Sequence, residues 1–170
     1  MQKPSTNEFE IDYGAIFDPR RKYRYLLWRQ WNKDLPKLCW VMLNPSTADE
    51  ERNDPTISRC LGFAQRWGFG SMKVVNAFAY RATDSAQLRR VKDPVGKQAD
   101  EYIQEALADS DKVVVAWGNS GSLFDRHLAL NEMLASSDMD VACFGITNLK
   151  QPRHPLYLRN DSDLQPYRTH

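Results

Sequence analysis

Polar side chains that could bind or polarise a ligand follow several strand-like segments of this sequence. One apolar run without alternation ends at Asn44-Pro45-Ser46, and the next apolar run ends at Asn76. Gly118-Asn119 follows a third run, and His154-Pro155 lies in the loop after the last one. Amide and imidazole groups can donate or accept hydrogen bonds. Because ligands of open α/β sheets bind beyond the carboxyl ends of the strands, we expect these segments to close on one crevice.

A sheet whose strands alternate with helices must position these groups. Strands are predicted over 9–17, 23–29, 38–43, 72–75, 112–117 and 141–144. Helices are predicted from Pro55 to about 67, over 94–109, and between Ser122 and about Ala135. Asp54 as N-cap and Pro55 at the first helical position form a helix start signal. A second acidic residue, Asp49, could help to hold a water molecule if its loop folds back.

This order of elements predicts the fold class. Strands that alternate with helices form right-handed crossovers over a mainly parallel sheet. We therefore predict a three-layer α/β/α sandwich with about four central strands and antiparallel N-terminal strands. The strand over 23–29 is expected to pair antiparallel with the strand over 38–43 through a turn at Asn32-Lys33-Asp34.

Length and composition favour a single domain over 1–170, with a core over about 23–157 and tails over 1–8 and 160–170. A formal charge of +1 gives no global argument for nucleic acid, and local clusters such as Arg20-Arg21-Lys22-Tyr23-Arg24 are typical of solvated faces. The three cysteines are far apart, and no apolar run could span a bilayer or form a signal peptide. We expect a cytoplasmic monomer without a metal, an organic cofactor or a membrane partner.

Four motifs resemble those of the uracil-DNA glycosylase superfamily. Leu43-Asn44-Pro45-Ser46 is similar to its first motif, and Val74-Val75-Asn76 to a strand that ends in asparagine. Val114-Val115-Ala116-Trp117-Gly118-Asn119 is similar to its strand ending in Trp-Gly, and His154-Pro155-Leu156-Tyr157 stands where the superfamily has His-Pro-Ser-Pro. From about 23 to 157 the chain more closely resembles the bacterial family catalogued as domain of unknown function 1643, which carries the same Asn-Pro-Ser-Thr-Ala motif.

The resemblance implies a uracil-DNA glycosylase-like fold and hydrolysis of the N-glycosidic bond of a damaged or modified base in DNA. By resemblance, Asn44 would position the attacking water and His154 would donate to the departing base. Asn76 would read the edge of the flipped base, with Ser46 beside it and Phe78, Tyr80 or Trp40 stacking on it. The implied contacts to phosphates and the DNA stack involve Gly118, Asn119, Ser120, Arg153, Leu156, Tyr157 and Arg159.

Two departures from the superfamily pattern bear on the base. The first motif has asparagine where the strongest uracil enzymes have an acidic residue, and it lacks the tyrosine that excludes thymine. The final loop lacks the serine and second proline that grip DNA. Because Ser46 and Ala48 are small, we hypothesise a wider pocket for a bulky or modified base, such as those of some phage DNA.

Other functions fit parts of the same pattern. Gly118-Asn119-Ser120-Gly121-Ser122 between a strand and a helix is typical of a nucleophile elbow, with Ser120 as nucleophile and His154 as base. The same turn could hold a phosphate at a helix N-terminus in a nucleotide-binding module, and a glycosylase fold without catalysis is a third alternative. Asn44, Asn76 and His154 are each also typical of ordinary turns and loops, so the functional hypothesis depends on all of them together.

Overall fold

The computed structural model describes residues 11–169, which form one mixed α/β fold. Its strands are β1 (Asp12–Phe17), β2 (Arg24–Gln30), β3 (Lys37–Met42), β4 (Ser71–Asn76), β5 (Lys112–Val115), β6 (Val141–Cys143) and β7 (Gln165–Pro166). Its α-helices are α1 (Pro55–Arg66), α2 (Ala99–Ala108) and α3 (Arg126–Ser136). Short 3₁₀ turns cover Ser85–Arg89, Asn119–Asp125 and Pro155–Tyr157. Within the described part of the chain, no helix is long and apolar enough to cross a membrane.

All seven strands lie in one sheet with the order β1-β2-β4-β3-β5-β6-β7. β4, β3, β5 and β6 are parallel to one another, and the outer strands are antiparallel to their neighbours. This arrangement confirms the α/β prediction of a parallel centre with antiparallel additions. Met42 is in register with Asn76, so the carboxyl ends of β3 and β4 lie side by side. The residues that follow these two strands are therefore neighbours.

The predicted pairing of β2 with β3 was wrong. β2 pairs with β4, with Leu27 opposite Val74. The reason is that β3 already has β4 on one edge and β5 on the other. A strand has only two hydrogen-bonding edges, so β2 joins the far side of β4.

Apolar layers cover both faces of the sheet. Trp40 and Val74 pack with Phe63 of α1 in one buried cluster. Val41 and Val75 belong to a second cluster that contains residues of α2 and α3. Successive strand residues point to opposite faces, and both faces are covered, so β3 and β5 are apolar at nearly every position.

Three segments differ from their predicted form. α3 begins at Arg126 rather than directly after Ser122, because Asn119–Asp125 form a 3₁₀ turn. α2 begins at Ala99 rather than at 94, because the carbonyls of Pro94 and Val95 accept hydrogen bonds from the backbone after β4. The segment 160–170, expected as a tail, contributes β7 beside β6, and its Tyr167 packs edge-on against Trp117 with ring centroids 5.8 Å apart. The predicted tail 1–8 and the first two residues of the predicted 9–17 strand lie outside the described residues.

Candidate functional site

A small cavity of about 70 Å³ lies at the carboxyl ends of β3 and β4, on the face covered by α1. Asn44, Asn76 and His154 all line it, as does Ser46. The remaining lining includes three polar and five apolar residues: Arg24, Asp54, Thr56, Met42, Leu43, Pro45, Ile57 and Val74. The structure therefore brings together three of the four segments whose convergence the sequence predicted, whereas Gly118 and Asn119 do not line the cavity.

Asn44 has its amide group fixed by the backbone. Its Nδ2 donates to the carbonyl of Ala82 at 2.8 Å and to that of Pro45 at 3.0 Å. The two loops are also joined directly, since the backbone N–H of Ala82 donates to the Pro45 carbonyl. These bonds use the N–H donors of the Asn44 side chain. They leave Oδ1, an acceptor, as the atom available to a bound molecule.

Asn76, the last residue of β4, is oriented by a buried arginine. Nη2 of Arg24 donates to Asn76 Oδ1 at 3.4 Å. A guanidinium group has donors only, so the oxygen of Asn76 must face it and Nδ2 must face away. Only 4% of Asn76 is exposed. Its amide therefore presents a donor, rather than an acceptor, to a group that enters the cavity.

Arg24 itself was not predicted as a site residue. Only 2% of it is exposed, its Nη1 donates to the Ala48 carbonyl at 3.2 Å, and its Nε has no partner among the described residues. Burial lowers the pKa of Arg24 to about 10, although Asp54 acts in the opposite direction. Arg24 is thus still a cation at neutral pH. The only signal in the sequence was an arginine within an aromatic-rich strand.

Asp54 fulfils the predicted role of helix cap at the edge of the cavity. Its Oδ1 accepts from the backbone of Ile57 at 2.8 Å, and Pro55 occupies the first turn of α1. Its Oδ2 accepts from the backbone of Ala48 at 3.2 Å. The same carboxylate thus joins the start of α1 to the loop that follows β3, and it places a negative charge near Arg24 and His154.

His154 is held in one neutral tautomer. Its Nδ1 accepts a hydrogen bond from the backbone of Leu156 at 3.2 Å, so the ring proton of the neutral form is on Nε2. Burial lowers the pKa of His154, and the charge of Asp54 opposes this only in part. At neutral pH, His154 is therefore an uncharged hydrogen-bond donor through Nε2.

The lowered pKa of His154 predicts a pH-dependent stability. In the unfolded chain, His154 binds a proton at about pH 6.5, whereas in the folded chain it does so only at a lower pH. The contribution of neutral His154 to the free energy of unfolding is fully present above about pH 6.5. It is lost as the pH falls through the pKa of His154 in the folded chain. Urea unfolding at pH 7.5 and 5.5 should therefore show a larger loss for the wild type than for His154→Gln. Equal losses in both proteins would contradict the shift.

The loop that carries His154 is anchored on two sides. Trp117 Nε1 donates to Oε1 of the buried Gln151 at 2.8 Å, and the backbone of Gly118 donates to the Pro152 carbonyl at 2.8 Å. From α1, Arg59 donates to the carbonyl of Leu158 and to the side chain of Asn160. The end of β5 and the first helix together fix the position of the histidine.

The predicted stacking residues lie apart from the cavity. Phe78 is fully buried in the core on the α2 side, and Trp40 is fully buried against Phe63 and Trp67. Tyr80 packs edge-on against Tyr23 and borders a separate depression. Neither Phe78 nor Tyr80 lines the cavity.

The residues predicted to contact phosphates and the DNA stack are dispersed around the His154 loop. Tyr157 is 92% exposed, and Arg153 is also exposed, whereas Leu156 is half-buried. Arg159 forms an ion pair with Asp161, which offsets its charge. Gly118 caps the 3₁₀ turn that contains Asn119 and Ser120, and the Asn119 side chain accepts from Thr147.

The structure offers no geometric support for a serine nucleophile. Among the described residues, no hydrogen bond joins Ser120 to His154. The Nδ1 of the histidine is occupied by a backbone donor. The glycine turn also leads into a kinked 3₁₀ segment, in which Phe124 and Asp125 adopt positive φ, rather than directly into an α-helix.

A larger depression of about 610 Å³ lies between α2 and α3. Its polar groups come from helix surfaces, such as Asp100, Gln104 and Glu132, and none of the predicted site residues reaches it. Within residues 11–169, no three histidine, cysteine, aspartate or glutamate side chains are grouped so that they could hold a metal ion. Asn44, Asn76 and His154 instead line the strand-end cavity together.

Fold and cavity together define an α/β protein with a buried polar crevice at the ends of its parallel strands. The chain belongs to the family described as Protein of unknown function (DUF1643), whose model matches residues 24–156. This match includes every lining residue of the cavity. No curated protein and no solved structure matches the chain.

Proposed function

We propose that this protein hydrolyses the N-glycosidic bond of a damaged or modified DNA base that enters the strand-end cavity. One observation carries the proposal. Asn44, Asn76 and His154 meet at a single cavity, and each has its hydrogen-bonding state set by a neighbouring group. The arrangement supplies one acceptor and two neutral donors.

These groups match the needs of glycosidic hydrolysis. The bond between C1′ of the sugar and the base nitrogen breaks through an oxocarbenium-like state, while negative charge moves onto the base. Water adds to C1′ and its proton is passed to the released base. Asn44 Oδ1 would accept a hydrogen bond from that water. The Nε2–H of His154 would donate to the base as its charge develops.

The donor orientation of Asn76 adds selectivity for the base. Its Nδ2 would donate to a carbonyl oxygen on the base edge, and it would have no good partner in an amino group. The cavity of about 70 Å³ is smaller than sites that enclose whole ligands, which are about 300–1,000 Å³. The proposed fit is therefore the edge of a planar ring, with the sugar outside.

The substitution Asn76→Asp tests this orientation. A carboxylate would form an ion pair with Arg24 and remove the donor from the cavity, because both of its oxygens are acceptors. We expect release of the preferred base to fall by about 10- to 100-fold, the value of one or two hydrogen bonds. Thermal unfolding should show that the variant is at least as stable as the wild type. Undiminished release would contradict the assigned role of Nδ2.

Base release is the direct test of the proposed activity. Oligonucleotides that carry uracil, hypoxanthine, cytosine or modified cytosines, in single and double strands, would be incubated with the protein and then cleaved at abasic sites by alkali. Release should be slowed by about 100-fold or more in Asn44→Ala and His154→Ala. His127→Gln, on α3 away from the cavity, serves as the matched control. A folded wild type that releases no base from any strand would overturn the proposal and favour a binding module.

A further inference from the structure

A second, more open depression of about 280 Å³ adjoins the cavity. Ser46 lines both of them. Its remaining polar lining is rich in cations and hydroxyl groups: Arg21, Lys22, Arg81, Thr47 and Thr83. We call this surface the basic shelf. None of these residues except Ser46 belongs to the site assigned above.

Two arginines of the shelf are held in place by one aromatic ring. The guanidinium carbons of Arg21 and Arg81 lie 3.8 and 4.8 Å from the centre of the Phe17 ring. Arg81 is fixed further by hydrogen bonds from Nε to the Ser46 carbonyl at 3.1 Å and from Nη1 to the Arg21 carbonyl at 3.2 Å. These cations are therefore preorganised, so less conformational entropy is lost when they bind an anion.

The charge of the shelf is only partly neutralised. Glu50 forms a bidentate ion pair with Arg21, at 2.6 and 2.9 Å. Among the residues that the structure describes, neither Lys22 nor Arg81 forms an ion pair. The hydroxyl groups of Ser46, Thr47 and Thr83 add neutral donors. Two free cations with several donors are the groups that contact phosphate oxygens in protein–DNA complexes.

We propose that the basic shelf binds the phosphodiester backbone of the strand whose base enters the cavity. The identity of that strand rests on the proposed function, but the recognition of a phosphodiester rests on the shelf alone. The shelf and the cavity share a backbone connection, because the Ala82 carbonyl accepts from Asn44 and Ala82 also lines the shelf. Phosphates next to the flipped nucleotide would thus lie at Lys22 and Arg81.

The salt dependence of DNA binding measures such phosphate contacts. Each contact with a single strand contributes about −0.7 to the slope of log K against log salt. Fluorescence anisotropy of a labelled single-stranded oligonucleotide without a target base would give this slope for the wild type and for Lys22→Gln. The Lys22 side chain is exposed and only its backbone is hydrogen bonded, so the substitution preserves the fold. We expect the slope to fall in magnitude by about 0.7, the value of one contact with a single strand, with weaker binding to every sequence.

Lys33→Gln is the matched control. Lys33 is also exposed and without an ion pair among the described residues, but it precedes β3 and so lies at the opposite end of the strands from the cavity. Equal slopes for Lys22→Gln and Lys33→Gln would overturn the proposal. Complete competition by millimolar nucleoside monophosphate would also overturn it, since the shelf would then hold a free nucleotide.

The two proposals can fail separately. Base release without any effect of Lys22→Gln on the slope would reject the shelf and retain the proposed reaction. The expected change in slope without base release from any oligonucleotide would retain the shelf as a nucleic-acid surface and reject the reaction. Arg81→Lys keeps the charge but loses both backbone bonds, so it should weaken binding while changing the slope by clearly less than about 0.7, the value of one phosphate contact.

Discussion

Replacing Asn44 by alanine should slow base release by about 10²- to 10³-fold, the usual cost of removing one preorganised group that acts on the transition state. The reason is that Oδ1 of Asn44 is the acceptor assigned to the attacking water. Single-turnover rates, measured with enzyme in excess over oligonucleotide, would report the chemical step directly. Oligonucleotide affinity should change little. A variant that keeps more than about a tenth of the rate would remove Asn44 from the mechanism.

Asn44→Asp is the more discriminating variant of the same side chain. It keeps the size and an oxygen toward the cavity, but its other oxygen would face the carbonyls of Ala82 and Pro45, which now accept from Nδ2. Repulsion between acceptors would move the carboxylate or raise its pKa. We therefore expect Asn44→Asp to be slower than the wild type and less stable in urea. A rate above that of the wild type would instead mean that the loop adapts and that negative charge assists the reaction.

The strand-end loops could be predicted from the sequence because each depends on local signals. An apolar run that stops at Asn44-Pro45 has few alternatives to a strand end, and Asp54-Pro55 is a helix start that the structure confirms. Parallel strands bring their carboxyl ends to one edge, so the approach of Asn44 to Asn76 follows from the fold class. Asn44, Asn76 and His154 thus converge because each of them lies at or after the end of a parallel strand of the sheet.

What the sequence did not reveal depends on long-range pairing. β2 was expected beside β3, and Arg24 was interpreted as part of a solvated basic cluster. Pairing with β4 instead brings Arg24 close to Asn76 and the cavity. Nothing in the residues around Arg24 specifies this neighbour. The buried cation and the orientation of Asn76 are therefore visible only in the structure, as is the packing of Phe78 into the core.

Arg29→Met should lower the free energy of unfolding by about 3–5 kcal/mol, at about 1 kcal/mol for each buried hydrogen bond that the guanidinium group now makes. Arg29 is fully buried and donates to backbone carbonyls on three segments, with distances of 2.6 Å to Asp49, 2.9 Å to Trp28, 3.2 Å to Arg52 and 3.3 Å to Gly14. Its Nε also donates to Asn53 Oδ1 at 2.9 Å. Methionine would fill much of the volume but would leave these acceptors without a donor.

The effect of Arg29 should extend to the cavity, because residues 49–53 connect the Asn44 loop to the Asp54 cap. Urea unfolding gives the loss of stability, and the nearby Arg52→Met is the matched control, since the Arg52 side chain is exposed. We expect that control to stay within about 0.5 kcal/mol of the wild type. The stability of Arg29→Lys should lie between those of the wild type and Arg29→Met. The ammonium group of lysine has three N–H donors, whereas the guanidinium group of arginine has five. If Arg29→Met unfolds at the same urea concentration as Arg52→Met, the guanidinium group of Arg29 does not hold residues 49–53 in place.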